Sequence, residues 1–379
     1  MKLPKLGMKD LKNEYTTGNL SPSDVIDAIF HHTRSKPPEP VWTYLLSRED
    51  LDVQLKNLSS DERRQQPLFG IPFAVKDNID VAGHPTTAGC PDYSYVPKTS
   101  APVVEKLMRA GAILVGKTAL DQFATGTTGT RSAYGPCPSA LNSEYVAGGS
   151  SSGSAVAVAA GLASFSLGTD TAGSGRIPAS FNNIVGLKPT RGRVTTRGVV
   201  PACRSIDCVA IFSRTVDDAQ QVLQLVQGYD HAEAYSRMAA EPVRKLPPGI
   251  EGAVIGIPRR SQLEFFGCSA SATAFDEAIL NLRGAGARIV DVDFDPFKEV
   301  AQMIYNGPWM AERYAALKPF IESNPQSFHP VTYAAINGGS RFSASDTFQA
   351  QHRLMELKRV TAPVWDEIDT LVTPTAPRT

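Results

Sequence analysis

Residues 148–180 limit what this chain can fold into more than any other stretch. They read Gly148-Gly149-Ser150-Ser151-Ser152-Gly153-Ser154, then an alanine-rich run, then Gly168-Thr169-Asp170-Thr171-Ala172-Gly173-Ser174-Gly175-Arg176-Ile177-Pro178. The run from Ser154 to Leu162 has helical composition and very small side chains. Such a helix can pack very close to a sheet. The glycines around it let the backbone take turns closed to bulkier residues.

The rest of the chain supplies the sheet. Ile71–Val75, Ile113–Val115, Ala210–Phe212, Ala253–Ile257, Arg288–Val292 and Leu371–Pro374 are short apolar runs that read as strands. Ser21-Pro22-Ser23-Asp24 reads as a helix start, with Ser21 as cap and Pro22 in the first turn. Helices are expected at about 101–110, stopped by Gly111, at 216–226 with Val222, Leu223 and Val226 inward, and at 271–282. Residues 295–368 read as mostly helical, and 241–252 as a surface excursion rich in proline and glycine. Strands alternating with helices predict an α/β fold, its sheet covered on both faces.

Chemistry-bearing residues fall in the same places. Ser174 sits between two glycines, where successive backbone N–H groups of Thr171, Ala172, Gly173 and Ser174 can converge on an oxyanion. Lys76 ends the apolar run Ile71-Pro-Phe-Ala-Val75. A serine is a poor nucleophile until a base takes its proton, and lysine does so only where burial disfavours its ammonium form. Taken alone, Lys76 reads as the ion-pair partner of Asp77 at a strand end, and the Ser174 loop as an anion-binding turn. Two glycine-flanked serines and a lysine in an apolar setting together point to hydrolysis through an acyl-enzyme.

Two other patterns lead elsewhere. Gly111-Ala-Ile-Leu-Val-Gly116-Lys117-Thr118 matches a phosphate loop letter for letter, but its variable positions are apolar and belong to a strand, not to an exposed cradle. Gly149-Ser150-Ser151-Ser152-Gly153 matches a nucleophile elbow with Ser151 as nucleophile. An elbow enzyme needs a histidine, and none of the six (His31, His32, His84, His231, His329, His352) has an active-site signature.

Lys+Arg and Asp+Glu are both 38, so no basic surplus exists to bind a phosphate backbone, and no nucleic-acid partner is expected. No apolar run approaches the roughly 20 residues needed to span a bilayer, so no membrane association is expected. The five scattered cysteines read as reduced thiols of a cytoplasmic protein, and Cys203 and Cys208 lack the spacing and histidines of a zinc site.

The blocks Gly70–Asn78, Lys117–Gly126, Gly148–Gly161, Gly168–Pro178 and Val185–Pro189 closely resemble the amidase signature family. That resemblance implies an α/β/α fold around a mixed sheet and a Ser-Ser-Lys triad. Lys76 is then the base, Ser150 the bridging serine after a cis peptide bond, and Ser174 the acylated nucleophile. Ala172 stands where most members have glycine, and Gly175 where many have isoleucine. These departures are shared with the allophanate hydrolase branch. Asn182–Arg191, Val199–Cys208, Asp230–Arg237 and Tyr305–Tyr314 are also similar to that branch.

The branch implies that Tyr305 and Arg313 bind a substrate carboxylate. An arginine fork suits that task, and a separation of eight residues, just over two helical turns, puts both side chains on one helix face. The expected substrate is a small molecule, allophanate, cleaved to N-carboxycarbamate and ammonia without metal or organic cofactor by a homodimer. Alternatives are another small amide, the amidase subunit of a tRNA-dependent amidotransferase, a histidine-based esterase, or an inactive scaffold. The chain is expected to be one amidase domain, cut short at its C-terminus and lacking the separate C-terminal domain of full-length allophanate hydrolases.

Overall fold

The computed structural model describes residues 3–4, 6–35, 40–58, 61–238 and 249–378. In chain order the elements are α1 (Met8–Thr17), α2 (Pro22–Arg34), β1 (Trp42–Leu45), α3 (Arg48–Asn57), β2 (Pro72–Lys76), α4 (Pro102–Arg109), β3 (Ile113–Thr118), α5 (Ser152–Ala159), β4 (Phe165–Thr169), α6 (Arg176–Phe181), β5 (Val185–Leu187), β6 (Val209–Ser213) and α7 (Val216–Val226). There follow β7 (Val254–Pro258), α8 (Ser269–Gly284), β8 (Arg288–Val292), α9 (Asp295–Asn306), α10 (Trp309–Ser323), α11 (Pro330–Asn337), α12 (Ala344–Thr361), α13 (Val364–Glu367) and β9 (Thr370–Leu371). The chain divides into two compact units, residues 1–239 with 316–335, and residues 240–315 with 336–379.

The first unit is built on a six-stranded sheet of order β1-β3-β2-β4-β6-β5. The central strands β3, β2 and β4 run parallel; β1 is antiparallel to β3 and β6 to β4, and the edge strand β5, antiparallel to β6, runs in the same direction as the central three. Strands β2, β3, β4 and β6 are buried along their whole length, as apolar runs under helices require. Phe73 of β2 and Phe165 of β4 stack at 5.3 Å in the middle of the main core.

Helix α5 lies on this sheet as its composition predicts. A Cβ on Gly153 would sit 2.6 Å from the Ala119 nitrogen, and one on Gly168 would sit 2.8 Å from Ser151 Oγ, so both approaches require glycine. Serines stitch the contact: Ser154 Oγ donates to the Leu167 carbonyl at 2.9 Å and shares a 2.7 Å hydrogen bond with Thr118 Oγ1. Helix α2 begins with a capping box in which Ser21 and Asp24 satisfy each other's backbone N–H. Gly111, at φ +94°, turns the chain after α4 into β3.

In the second unit β7, α8 and β8 form a β-α-β crossover, and β9 pairs with the other side of β7, all three strands parallel. Arg353 of α12 grips Glu299 of α9 with two hydrogen bonds of 2.6 and 2.9 Å. The last strand is two residues long, shorter than the apolar run suggested. Most of the expected excursion, residues 241–248, lies outside the described residues.

Candidate active site

The last residue of β2 is Lys76, and it is fully buried. Its Nζ lies 2.8 Å from Ser150 Oγ and 2.7 Å from Thr169 Oγ1. Thr169 ends β4, the strand hydrogen-bonded beside β2. Ser150 follows a cis Gly149–Ser150 peptide and immediately precedes Ser151, the N-cap of α5. Two strand ends and a helix N-terminus therefore meet at one ammonium-or-amine group. Asn78 holds Thr169 from behind, its Nδ2 donating to Thr169 Oγ1 and to the Val200 carbonyl, each at 3.3 Å.

Ser174 reaches this cluster through backbone. Its carbonyl accepts the Ser151 N–H at 3.2 Å, which sets the Ser174 turn against the start of α5. Ser174 is 6 % exposed, and its hydroxyl makes no hydrogen bond among the described residues. The structure thus forms the Lys76–Ser150 link but not a Ser150–Ser174 hydrogen bond. Contacts of this kind tighten when substrate arrives.

Asp170 organises the turn. Its buried carboxylate accepts the Gly173 N–H at 2.7 Å and the Arg176 N–H at 3.1 Å, and pairs with the Arg176 guanidinium at 2.8 and 2.9 Å. Lys188 Nζ stands 3.4 Å away. Burial pushes this carboxyl up, but the two cations and the Gly173 N–H outweigh burial and hold it well below the usual carboxylate range. One expectation is corrected here: the Gly173 N–H, counted among four oxyanion donors, is taken by Asp170. Gly173 itself sits at φ +118°, a conformation that favours glycine.

The elbow and phosphate-loop patterns dissolve in this geometry. Ser151 Oγ is fully buried and donates to the Thr169 carbonyl at 3.1 Å, so it is not presented to a substrate. Gly116-Lys117-Thr118 lies within β3, not in a loop. The cleft of about 830 Å³ that opens beside α1, α2 and α3, lined by Lys12, Tyr15, Pro22, Leu55 and Phe69, contains none of the candidate catalytic residues.

A family model described as Amidase matches residues 43–379. The chain belongs to the amidase family. It is 42% identical over 358 residues to the urea amidolyase of Saccharomyces cerevisiae, covering 93% of this chain and 19% of that protein. The A-type subunit of the glutamyl-tRNA(Gln) amidotransferase of Acidobacterium capsulatum is 35% identical over 347 residues, covering 84% of this chain and 72% of its own length. The solved structure of Kluyveromyces lactis allophanate hydrolase superposes with a TM-score of 0.89 at 40% identity, covering 98% of this chain and 61% of that one. This chain spans about a fifth of the urea amidolyases it matches.

Within this amidase, Asp77 is not the partner of Lys76. Successive strand residues point to opposite faces, so Lys76 faces α5 while Asp77 faces away. Asp77 instead pairs with buried Lys117 at 3.0 Å and also accepts from the side chain and N–H of Thr87. Lys117 donates further to Thr86 Oγ1 at 2.6 Å and to the Pro85 carbonyl at 2.7 Å. Burial pushes the Asp77 carboxyl up against the pull of Lys117, and pulls Lys117 down against the pull of Asp77. Lys117→Met should cost about 3–5 kcal/mol, because it strands a buried carboxylate, whereas Lys117→Met with Asp77→Leu should recover most of that loss. Urea unfolding of both variants checks this; equal destabilisation would show that the ion pair is not the source.

Tyr305 and Arg313 do not share a helix face. Tyr305 is in the last turn of α9, 52 % exposed, and Arg313 is in α10, 4 % exposed. Gly307-Pro308 separates the two helices, since proline has no N–H to continue the first. Sequence reasoning missed Thr169 and Asn78. Both lie inside blocks that were singled out, but only sheet order reveals that β4 is the neighbour of β2.

Proposed function

We propose that this chain hydrolyses the terminal amide of a small carboxylate-bearing urea derivative, allophanate, through an acyl-enzyme on Ser174. The observation that carries the reading is the buried Lys76 Nζ, 2.8 Å from Ser150 Oγ, beside the Ser174 turn. Full burial disfavours the ammonium form of Lys76.

In this mechanism neutral Lys76 takes the Ser150 proton as Ser150 takes that of Ser174. Ser174 Oγ attacks the terminal carboxamide carbon. Backbone N–H groups of the Thr171–Ser174 turn other than that of Gly173 stabilise the oxyanion. The proton returns through Ser150 to the leaving nitrogen, and the C–N bond breaks to release ammonia. Water, deprotonated by the same relay, then cleaves the carbamoyl ester to N-carboxycarbamate and frees Ser174. Arg313 and Tyr305 hold the carboxylate. No metal or organic cofactor enters these steps, and the working form we propose is a cytoplasmic homodimer.

Ammonia release from allophanate, compared with glutamine and simple amides, tests the substrate. Allophanate should be preferred, and Arg313→Ala should raise KM for it with little change in kcat. A role as one component of an amidotransferase is the second reading, supported by 35% identity to such a component over 84% of this chain. Glutamine-derived ammonia that appears only with a partner protein would favour it and displace allophanate.

A further inference from the structure

Asp121 lies just beyond β3, is fully buried, and has no part in the mechanism above. Among the described residues its carboxylate accepts two hydrogen bonds, each from backbone: the Gly129 N–H at 3.0 Å on Oδ2 and the Arg131 N–H at 2.9 Å on Oδ1. A buried carboxylate is costly to keep, so a site that retains one invites a reason. The packing supplies it. A Cβ on Gly126 would lie 2.5 Å from Asp121 Cγ, and a Cβ on Gly149 would overlap Oδ2. The carboxylate therefore sits directly on the Cα of the residue before Ser150.

The loop it holds and its own backbone bond the chain on either side of the Gly149–Ser150 peptide. The Thr127 carbonyl accepts the Gly149 N–H at 2.8 Å, and the Asp121 N–H donates to the Ser150 carbonyl at 3.0 Å. Residues 149–150 are thus fastened by Thr127 at one end and by the Asp121 backbone at the other. The carboxylate bonds the backbone of residues 129 and 131, and the same loop bonds Gly149 through the Thr127 carbonyl. We propose that Asp121 is a positioning residue for Ser150, acting through the 126–131 loop and touching neither substrate nor nucleophile. The inference rests on Ser150 being the proton relay.

The test is a double-mutant cycle on the full chain. Asp121→Asn keeps the side-chain size but turns an NH₂ against the Gly129 or Arg131 N–H. Wild type, Asp121→Asn, Ser150→Ala and the double variant are each treated with a fluorophosphonate, and adduct formation at Ser174 is timed by intact mass. Asp121→Asn should slow labelling about 10²-fold when Ser150 is present. In the Ser150→Ala background it should slow labelling no more than about twofold. Equal slowing in both backgrounds, or wild-type labelling by Asp121→Asn, overturns the role of Asp121 and leaves the relay intact. Wild-type labelling by Ser150→Ala, or no adduct on the wild type, overturns the relay and this inference together. Should Asp121→Asn fail to fold, Arg131→Pro, which deletes one donor to the carboxylate, carries the same cycle.

Discussion

Ser174→Ala is expected to abolish ammonia release, with kcat falling on the order of 10⁶-fold, as when the serine of a catalytic unit is removed. The fold should survive intact. The Ser174 hydroxyl makes no hydrogen bond among the described residues, so its loss strands no buried partner. Its carbonyl, which holds the Ser151 N–H, is unchanged by the substitution. Thermal unfolding should therefore match the wild type while the fluorophosphonate adduct disappears from the intact mass. Retained turnover in a well-folded Ser174→Ala protein would remove the acyl-enzyme from the mechanism. Loss of both activity and stability would mean that the hydroxyl has a structural partner after all.

Lys76→Ala should lower kcat/KM by about 10²–10⁴-fold, the range that a positioned general base contributes. The pH profile separates this role from packing. In the proposed mechanism the base acts as the neutral amine, so activity should fall on acidification. In Lys76→Ala that acid limb should vanish, because the group that titrates is gone. The side chain is fully buried, so some stability should also be lost. Lys76→Met fills the space and keeps the electrostatic question separate from the cavity. An unchanged acid limb in Lys76→Met would assign the titration to another group, and near-normal rates would exclude lysine as the base.

Much of this was legible in the chain. The alanine run between glycine-serine turns announced a helix pressed on a sheet, and the start of α5 meets β4 at Ser154 and Gly168. The strand Arg288–Val292 and the helix Val216–Val226 appear where the apolar pattern puts them. Lys76, Ser150 and Ser174 stood out because each lies in a short block with its own local geometry, a strand end or a glycine turn. Strands β1, β4 and β5 were not read, being short or interrupted by glycine and polar residues, so their state depends on their neighbours.

Pairings were another matter. Lys76 and Asp77 are adjacent in the chain yet belong to different networks, because a strand turns successive side chains to opposite faces. Lys117 became the partner of Asp77 only through the parallel register that sets Val75 beside Lys117 and Lys76 beside Thr118. Thr169 reached Lys76 because β4, not another strand, lies next to β2. Gly173 lost its N–H to Asp170, three residues away, through a turn whose closure composition does not encode. Local sequence determined which residues can carry charge, bend or nucleophilicity. Sheet order and register decided which of them touch, because hydrogen-bond partners across strands are chosen by the packing of the whole core and not by distance along the chain.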